Sequence, residues 1–326
     1  MYGTIILRRI ANTIPVLFFA TLISFSLVRA APGDPINMYL STDMEDADPE
    51  VVDRIRKQMG LDKPVIVQYF SWLGQVLRGN LGNSLYTREP VTRVIGNVIP
   101  NSMFLAAIAL LASLLLGLPL GAITAIKQRS LMDYIVTTSV LIGYTLPSYY
   151  IALMLLYFLS FRHRILPSSG MRSLRGGPEN EILDLLMHAA MPLMVYIVVR
   201  MVQWVRFQRN SMIEVMSQGY IRTARAKGLR ERLVISRHAW RNSLTPIVTN
   251  LGLSFSGLIG GSFIIESIFA WPGMGRLGLN AVRLRDFPVT MGILLVSTIM
   301  IVAGNLLSDM LYVILDPRVR MESQLD

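Results

Sequence analysis

Residues 219–246 read GYIRTARAKGLRERLVISRHAWRNSLTP, the most charged run in an otherwise hydrophobic chain. Arg222, Arg225, Lys227, Arg230, Arg232, Arg237 and Arg241 stand against a single acid, Glu231. Apolar, membrane-length segments lie on both sides. The pattern predicts a short helix over Tyr220–Lys227. Gly228 then takes the left-handed position just past a helix C-terminus, and Arg225 and Lys227 sit favourably near its carbonyl end. A second helical pattern runs from Leu229 towards Pro246. The expected unit is a helix–turn–helix corner that presents a docking surface.

The surroundings call for a membrane. Of 326 residues, 52% are hydrophobic and 16% charged, outside the range of a soluble domain. Crossing a bilayer core of about 30 Å takes about 20 apolar residues. Six stretches meet or approach that length: Ile10–Val28, Val94–Ile126, Tyr134–Phe161, Leu185–Val199, Asn242–Ile265 and Phe287–Ser308. The fourth must carry Arg200 at one end, with the side chain snorkelling to the interface. Lipid leaves no backbone group unpaired without cost, so these spans are helices, and the alternating strands of a barrel are missing. Nine Lys and Arg residues fall in 206–241. With the long 31–100 loop on the opposite side discounted, the basic excess puts the 206–241 loop and both termini in the cytoplasm. The net charge of +10 then suits an anionic membrane leaflet rather than nucleic acid.

The loop after the first span opens with the sharp turn Ala31-Pro32-Gly33-Asp34-Pro35. Two amphipathic helices follow. One is capped by Asp48, starts at Pro49, carries Val52, Ile55 and Met59 on a face, and stops at Gly60. The other starts at Pro64, carries Ile66, Tyr69, Phe70, Leu73 and Leu77 on a face, and ends at Gly79. They suit packing on the spans, the outer lipid interface or a protein partner. Gly117-x-x-x-Gly121 and Gly257-x-x-x-Gly261 allow close helix approach, first of all within the chain. Pro119 and Pro147 are expected to kink their helices.

Catalytic signatures are missing. There is no Gly-x-x-x-x-Gly-Lys-Ser/Thr phosphate loop, no His-Glu-x-x-His among His163, His188 and His238, and no Gly-x-Ser-x-Gly elbow. The chain has no cysteine, hence no disulfide or thiolate metal site. Among ionisable groups near the spans, Glu266 and Asp309 suit interfacial capping or an intrahelical pair better than substrate contact. Asn305 could bond across helices, and Arg200, Arg206 and Arg209 suit the inner interface.

Several spaced motifs carry a family resemblance. Thr223-Ala224-Arg225-Ala226-Lys227-Gly228-Leu229, then His238-Ala239, Arg241-Asn242, Leu244 and Pro246, resemble the cytoplasmic loop of ABC importer permeases of the dipeptide, oligopeptide and nickel subfamily. The general motif begins Glu-Ala-Ala; Arg222-Thr223-Ala224 stands there instead, as in the peptide subgroup. Pro32-Gly33-Asp34-Pro35 and Leu81-Gly82-Asn83-Ser84 resemble the first, or B-type, membrane subunit. Glu266–Gly275, Arg285-Asp286-Phe287-Pro288 and Asn305–Arg318 fit the same subgroup.

The resemblance implies an all-α, six-span type I importer permease. Residues 1–95 would be the first span and long extracytoplasmic loop. Residues 96–315 would be the permease domain, with a coupling loop at 206–241, and residues 316–326 a cytoplasmic tail. Tyr220, Arg222, Thr223, Ala224, Arg225, Ala226, Lys227, Gly228 and Leu229 would form the helix that seats on an ATPase. Tyr220 and Leu229 would fill its groove, Ala224 and Ala226 would allow close approach, and Arg222 and Arg225 would meet acids on the partner. The chain itself would hold no cofactor; ATP and magnesium would bind two partner ATPase subunits. A second permease and an extracytoplasmic substrate-binding protein would complete a complex in a bacterial or archaeal inner membrane. Short peptides are the expected cargo, with nickel complexes, glutathione or opine-like solutes as alternatives. An ion-driven secondary transporter would instead need inverted repeats and a midplane carboxylate. An intramembrane enzyme would need a nucleophile or metal set within the spans, and a plain anchor would not need the loop pattern.

Overall fold

In a computed structural model of the protein, residues 2–30, 49–58, 60–173, 178, 180–256 and 262–315 are described. The Pro32–Pro35 turn, the Asp48 cap, Met59, the Gly257–Gly261 motif and the 316–326 tail lie outside them, as do the side chains of Val52, Ile55 and Asp309. The helices are α1 (Tyr2–Ala30), α2 (Pro49–Gln58), α3 (Val65–Leu77), α4 (Val91–Ile126), α5 (Leu131–Thr145) and α6 (Ser148–Leu155, continued as a π-helix over Leu156–Arg162). Then follow α7 (Glu181–Ser217), α8 (Gly219–Ala226), α9 (Glu231–Leu233, then a π-helix over Val234–Trp240), α10 (Arg241–Ser243) and α11 (Thr245–Ser256). The last three are α12 (Phe263–Ile268), α13 (Met274–Arg283) and α14 (Phe287–Leu315). Among the described residues there is no strand, only an isolated bridge between Asn83 and Pro90.

Among the described residues, four segments are long and apolar enough to cross a bilayer: Thr13–Ala30, Val91–Ile126, Glu181–Ser217 and Phe287–Leu306. The expected third span is broken rather than kinked. Leu131–Thr145 and Ser148–Arg162 meet at 101°. Pro147 has no N–H to continue the ladder of α5 and instead becomes the N-cap of α6. The expected fifth span is described as the 12-residue α11, which packs along α14. The fourth span runs well past Arg200, so Arg200 lies near the middle of α7 rather than at its end. Pro119 sits inside α4, which continues through it as one helix.

Among the described residues, the most extensive contact is α4 on α7. A Cβ at Gly117 would lie 2.9 Å from Trp204 Cβ, and one at Gly121 only 2.5 Å from the Val205 carbonyl oxygen. The small-residue motif is therefore an intrachain seat for α7. Around it Ala106, Leu110, Trp204 and Ile247 close one core cluster, and Leu105, Ala109, Met191, Val195, Phe269 and Trp271 close another. On the other flank, Tyr69 of α3 is fully buried against Phe25 of α1 and Met291 of α14, its hydroxyl 3.0 Å from Thr21 Oγ1. The α3 face expected to be uniform is split. Tyr69 and Leu73 pack inward, whereas Ile66, Phe70 and Leu77 remain more than half exposed.

At Gly121 the obstacle is backbone, which cannot rotate away. Gly121→Val should therefore destabilise the purified chain by about 1–3 kcal/mol, read as a lower melting temperature in detergent. Gly74→Ala, which meets nothing within 4 Å, should leave that temperature within error or slightly raised. Equal melting for the two variants would rule out the α4–α7 contact.

Candidate functional site

The basic stretch folds as the expected corner, with its helix at Gly219–Ala226. Gly228 has φ +75°, and the C-terminus closes with two reversed bonds. Gly228 N–H donates to the Arg225 carbonyl (2.9 Å) and Leu229 N–H to the Ala224 carbonyl (3.4 Å). That is a Schellman ending, and it requires the left-handed residue that glycine supplies. The second helical pattern begins at Glu231, not Leu229, and is a composite of α9, a π-segment and α10.

The corner is not a loose loop. Ile221 and Ala224 are buried against Ala125 at the end of α4, Met212 of α7, and Val234 and Ala239 of the following turn. The opposite face is open: Arg222, Thr223, Arg225, Ala226, Lys227 and Gly228 are exposed, and Tyr220 and Leu229 keep 44% and 37% of their surface. So the named residues divide. Ala224 faces the chain's own core, whereas Tyr220 and, just past the helix, Leu229 leave apolar surface open among exposed basic residues. Arg225 already has an acid, because Nη2 donates to Glu231 Oε1 (2.6 Å) and Nε to Oε2 (3.1 Å). These two bonds hold the Glu231 carboxyl below its ordinary 4.5 and lift the Arg225 guanidinium above its ordinary value. The groups are exposed, so the pair orients more than it stabilises.

Two buried carboxylates fasten the opposite end of the bundle. Glu266, fully buried, accepts from Ser102 Oγ (2.8 Å), Gly275 N–H (2.7 Å) and Arg276 N–H (3.1 Å). It thereby caps α13 and ties it to α4, in line with a capping role. A Cβ at Gly273 would lie 2.5 Å from the Glu266 carboxylate and one at Gly275 2.6 Å from the Phe263 backbone. The Trp271–Gly275 stretch is thus written by close approach. Asp286 accepts from Ser84 Oγ (2.5 Å), Leu85 N–H (3.2 Å) and, at the start of α14, Val289 N–H (3.4 Å). Along the sequence, Ser102 and Ser84 gave no signal as partners, each being more than 160 residues from its carboxylate.

Towards the basic corner, Arg209 makes two 3.1 Å bonds to Asp133 and so joins α7 to the start of α5. Arg206, expected at the inner interface with it, has its guanidinium carbon 5.5 Å from the Tyr144 ring centroid. Asn305 is exposed. Among the described residues no cluster of His, Cys, Asp or Glu could hold a metal.

Comparison with known proteins places this architecture. Residues 117–321 match the model for the binding-protein-dependent transport system inner membrane component, and residues 2–106 match its N-terminal companion. The chain belongs to this family of membrane permeases. A Brucella suis biovar 1 protein, provisionally named a peptide permease protein, is 39% identical over 97% of this chain and 98% of its own length. The oligopeptide transport system permease protein AppB of Bacillus subtilis strain 168 is 36% identical over 96% and 98%. A chain from the inward-facing MetNI methionine ABC transporter aligns with TM-score 0.50 at 14% identity, over 68% of this chain and 97% of that one. The permease is thus a multi-pass membrane protein with the type I ABC importer fold.

Two outcomes test the local geometry. The Glu231 carboxyl should titrate below 4.5 in a carbon-detected NMR titration and return to about 4.5 in Arg225→Gln. Because its folded value is depressed, the pair should hold from neutral pH down through 4.5 and loosen only below that. Separately, Glu266→Ala strands two buried donors and a part-buried one and should cost about 1–3 kcal/mol, seen as an earlier melt. A stability unchanged from the parent permease would remove the cap.

Proposed function

We propose that this permease is one half of the pore of an ATP-driven, binding-protein-dependent importer, with short peptides as cargo. The observation that carries the coupling half of this reading is the two-faced α8. A helix of eight residues clamped by Ile221 and Ala224 onto the ends of α4 and α7 moves with those spans. Its open side and the turn that follows offer Tyr220 and Leu229 together with Arg222, Ala226 and Lys227, a surface suited to an apolar groove with acidic edges. An ATPase seated there passes its own rearrangement to the spans as a rigid-body displacement, and two such seats of different affinity supply the required state difference. ATP and magnesium belong to that partner. A second permease completes the pore, and an extracytoplasmic binding protein delivers cargo. In this reading the corner and both termini are cytoplasmic. The names of the relatives support the peptide assignment.

The experiment is affinity capture of the tagged permease from mild detergent with mass spectrometry. Tyr220→Asp combined with Leu229→Asp alters the open face and spares the buried one. The parent chain should bring down an ATPase and a second permease. The double variant should keep the second permease and lose at least nine-tenths of the ATPase, and peptide uptake should fall with it. Full retention of the ATPase by the double variant, or its absence from the parent chain, would sink the coupling assignment.

A further inference from the structure

The break in the third span opens a cavity of about 570 Å³ between α5, α6 and α7. Its polar lining comes from Tyr144, Ser148, Gln203, Arg206 and Asn210. Gln203, Arg206 and Asn210 recur along one face of α7, and all three are exposed in the isolated chain. The faces of α7 turned to α4 and α5 carry Val202, Trp204, Val205 and Gln208, all buried.

Depth decides what this polar face meets. Helices α5 and α7 run antiparallel, as the Asp133–Arg209 pair at one end and the approach of Gly143 to Val198 and Val202 at the other require. Asn210 therefore sits level with Asp133. Tyr144 lies three turns further into α5, about 16 Å along the axis. A snorkelling arginine near a helix end turns its head to the nearby interface. Arg206 does the opposite: its guanidinium lies against the Tyr144 ring, towards the middle of the span. No carboxylate pairs with it among the described residues. The Arg206 guanidinium and the Gln203 carboxamide, both further into the span than Asn210, cannot face hydrocarbon; such groups mark the bundle interior or a water-filled path.

We propose that the Gln203–Arg206–Asn210 face is this subunit's wall of an aqueous transport passage, and that Arg206 receives the carboxylate of an anionic or zwitterionic cargo. The proposal rests on the import reading and adds to it a place and a charge. Tyr144 holds the guanidinium by its ring face, which leaves the N–H donors free for a carboxylate. A peptide's free C-terminus presents that group.

The chain has no native cysteine, so single substitutions report without background. Gln203→Cys, Asn210→Cys and, as control, Leu115→Cys on the exposed face of α4 (74% exposed) would be made in the assembled transporter in membrane vesicles. The probes are the anionic sulfonatoethyl and the cationic trimethylammonioethyl methanethiosulfonates, with the mass of this chain as readout. The thiols introduced at positions 203 and 210 should be modified at least tenfold faster than the one at position 115. In the Gln203→Cys background the ratio of anionic to cationic rate should fall about tenfold on adding Arg206→Gln and largely survive Arg206→Lys. Inert thiols at 203 and 210 would overturn the passage; a ratio unmoved by Arg206→Gln would overturn the anion contact. Peptide uptake, measured in parallel, separates the two readings. No uptake with the labelling pattern intact removes peptides as cargo and leaves the anion passage. Uptake with both thiols inert removes the passage and leaves peptide import.

Discussion

The contact of α4 with α7 at Gly121 is the constraint on which the other arrangements rest. In lipid, burial of apolar surface gives helices no preference for each other over the surrounding chains, so close backbone approach must do that work. Hydrogen in place of a side chain at Gly117 and Gly121 lets the Trp204–Gln208 turn of α7 come in. Once α7 is seated, two further faces and its C-terminal end are assigned. One takes α5 through Val140, Val202 and the Asp133–Arg209 pair. One borders the cavity. The C-terminal end takes α8 through Met212.

The two ends of the bundle are held by different chemistry. At the Glu266 and Asp286 end, buried carboxylates collect backbone N–H groups from helix starts and hydroxyls from distant segments, which fixes short irregular pieces with strong, charge-assisted bonds. At α8 itself, apolar residues do the fastening and the helix's own charges are left on the outside, with the Asp133–Arg209 pair as the one part-buried ionic tie nearby among the described residues. The first arrangement resists displacement, because moving one partner strands a buried charge. The second tolerates sliding and rotation, since apolar contacts are non-directional.

How much of this the sequence announces follows from range. The α8 corner was legible because its signals are local: a helical pattern, a left-handed glycine and a charge run within 28 residues. The apolar spans were legible for the same reason. The identity of Ala224 as an inward residue was not, because neighbouring alanines look alike until α4 and α7 are in place. Pro147 announced a distortion, but its size depends on what waits to receive the turned chain. The Ser102–Glu266 and Ser84–Asp286 bonds join residues that ordinary spacing never relates. Arg206 and Arg209 are three residues apart with the same chemistry, yet one finds a ring and the other a carboxylate, a difference set by the partner helix.

The broken third span carries a consequence for leakage. Where α5 stops, Pro147 offers no N–H to the Gly143 carbonyl, and the 101° turn carries the next amides away from the carbonyls of Tyr144 and Thr145. Acceptors at that depth need solvation, and the adjoining cavity supplies the room. Water that fills this room stays there between turnovers as well as during them. A chamber that is always hydrated cannot be the seal of the membrane. On the proposed passage, the barrier that preserves the ion gradients of the cell must then be made elsewhere, with the cavity beside Arg206 as a vestibule to it.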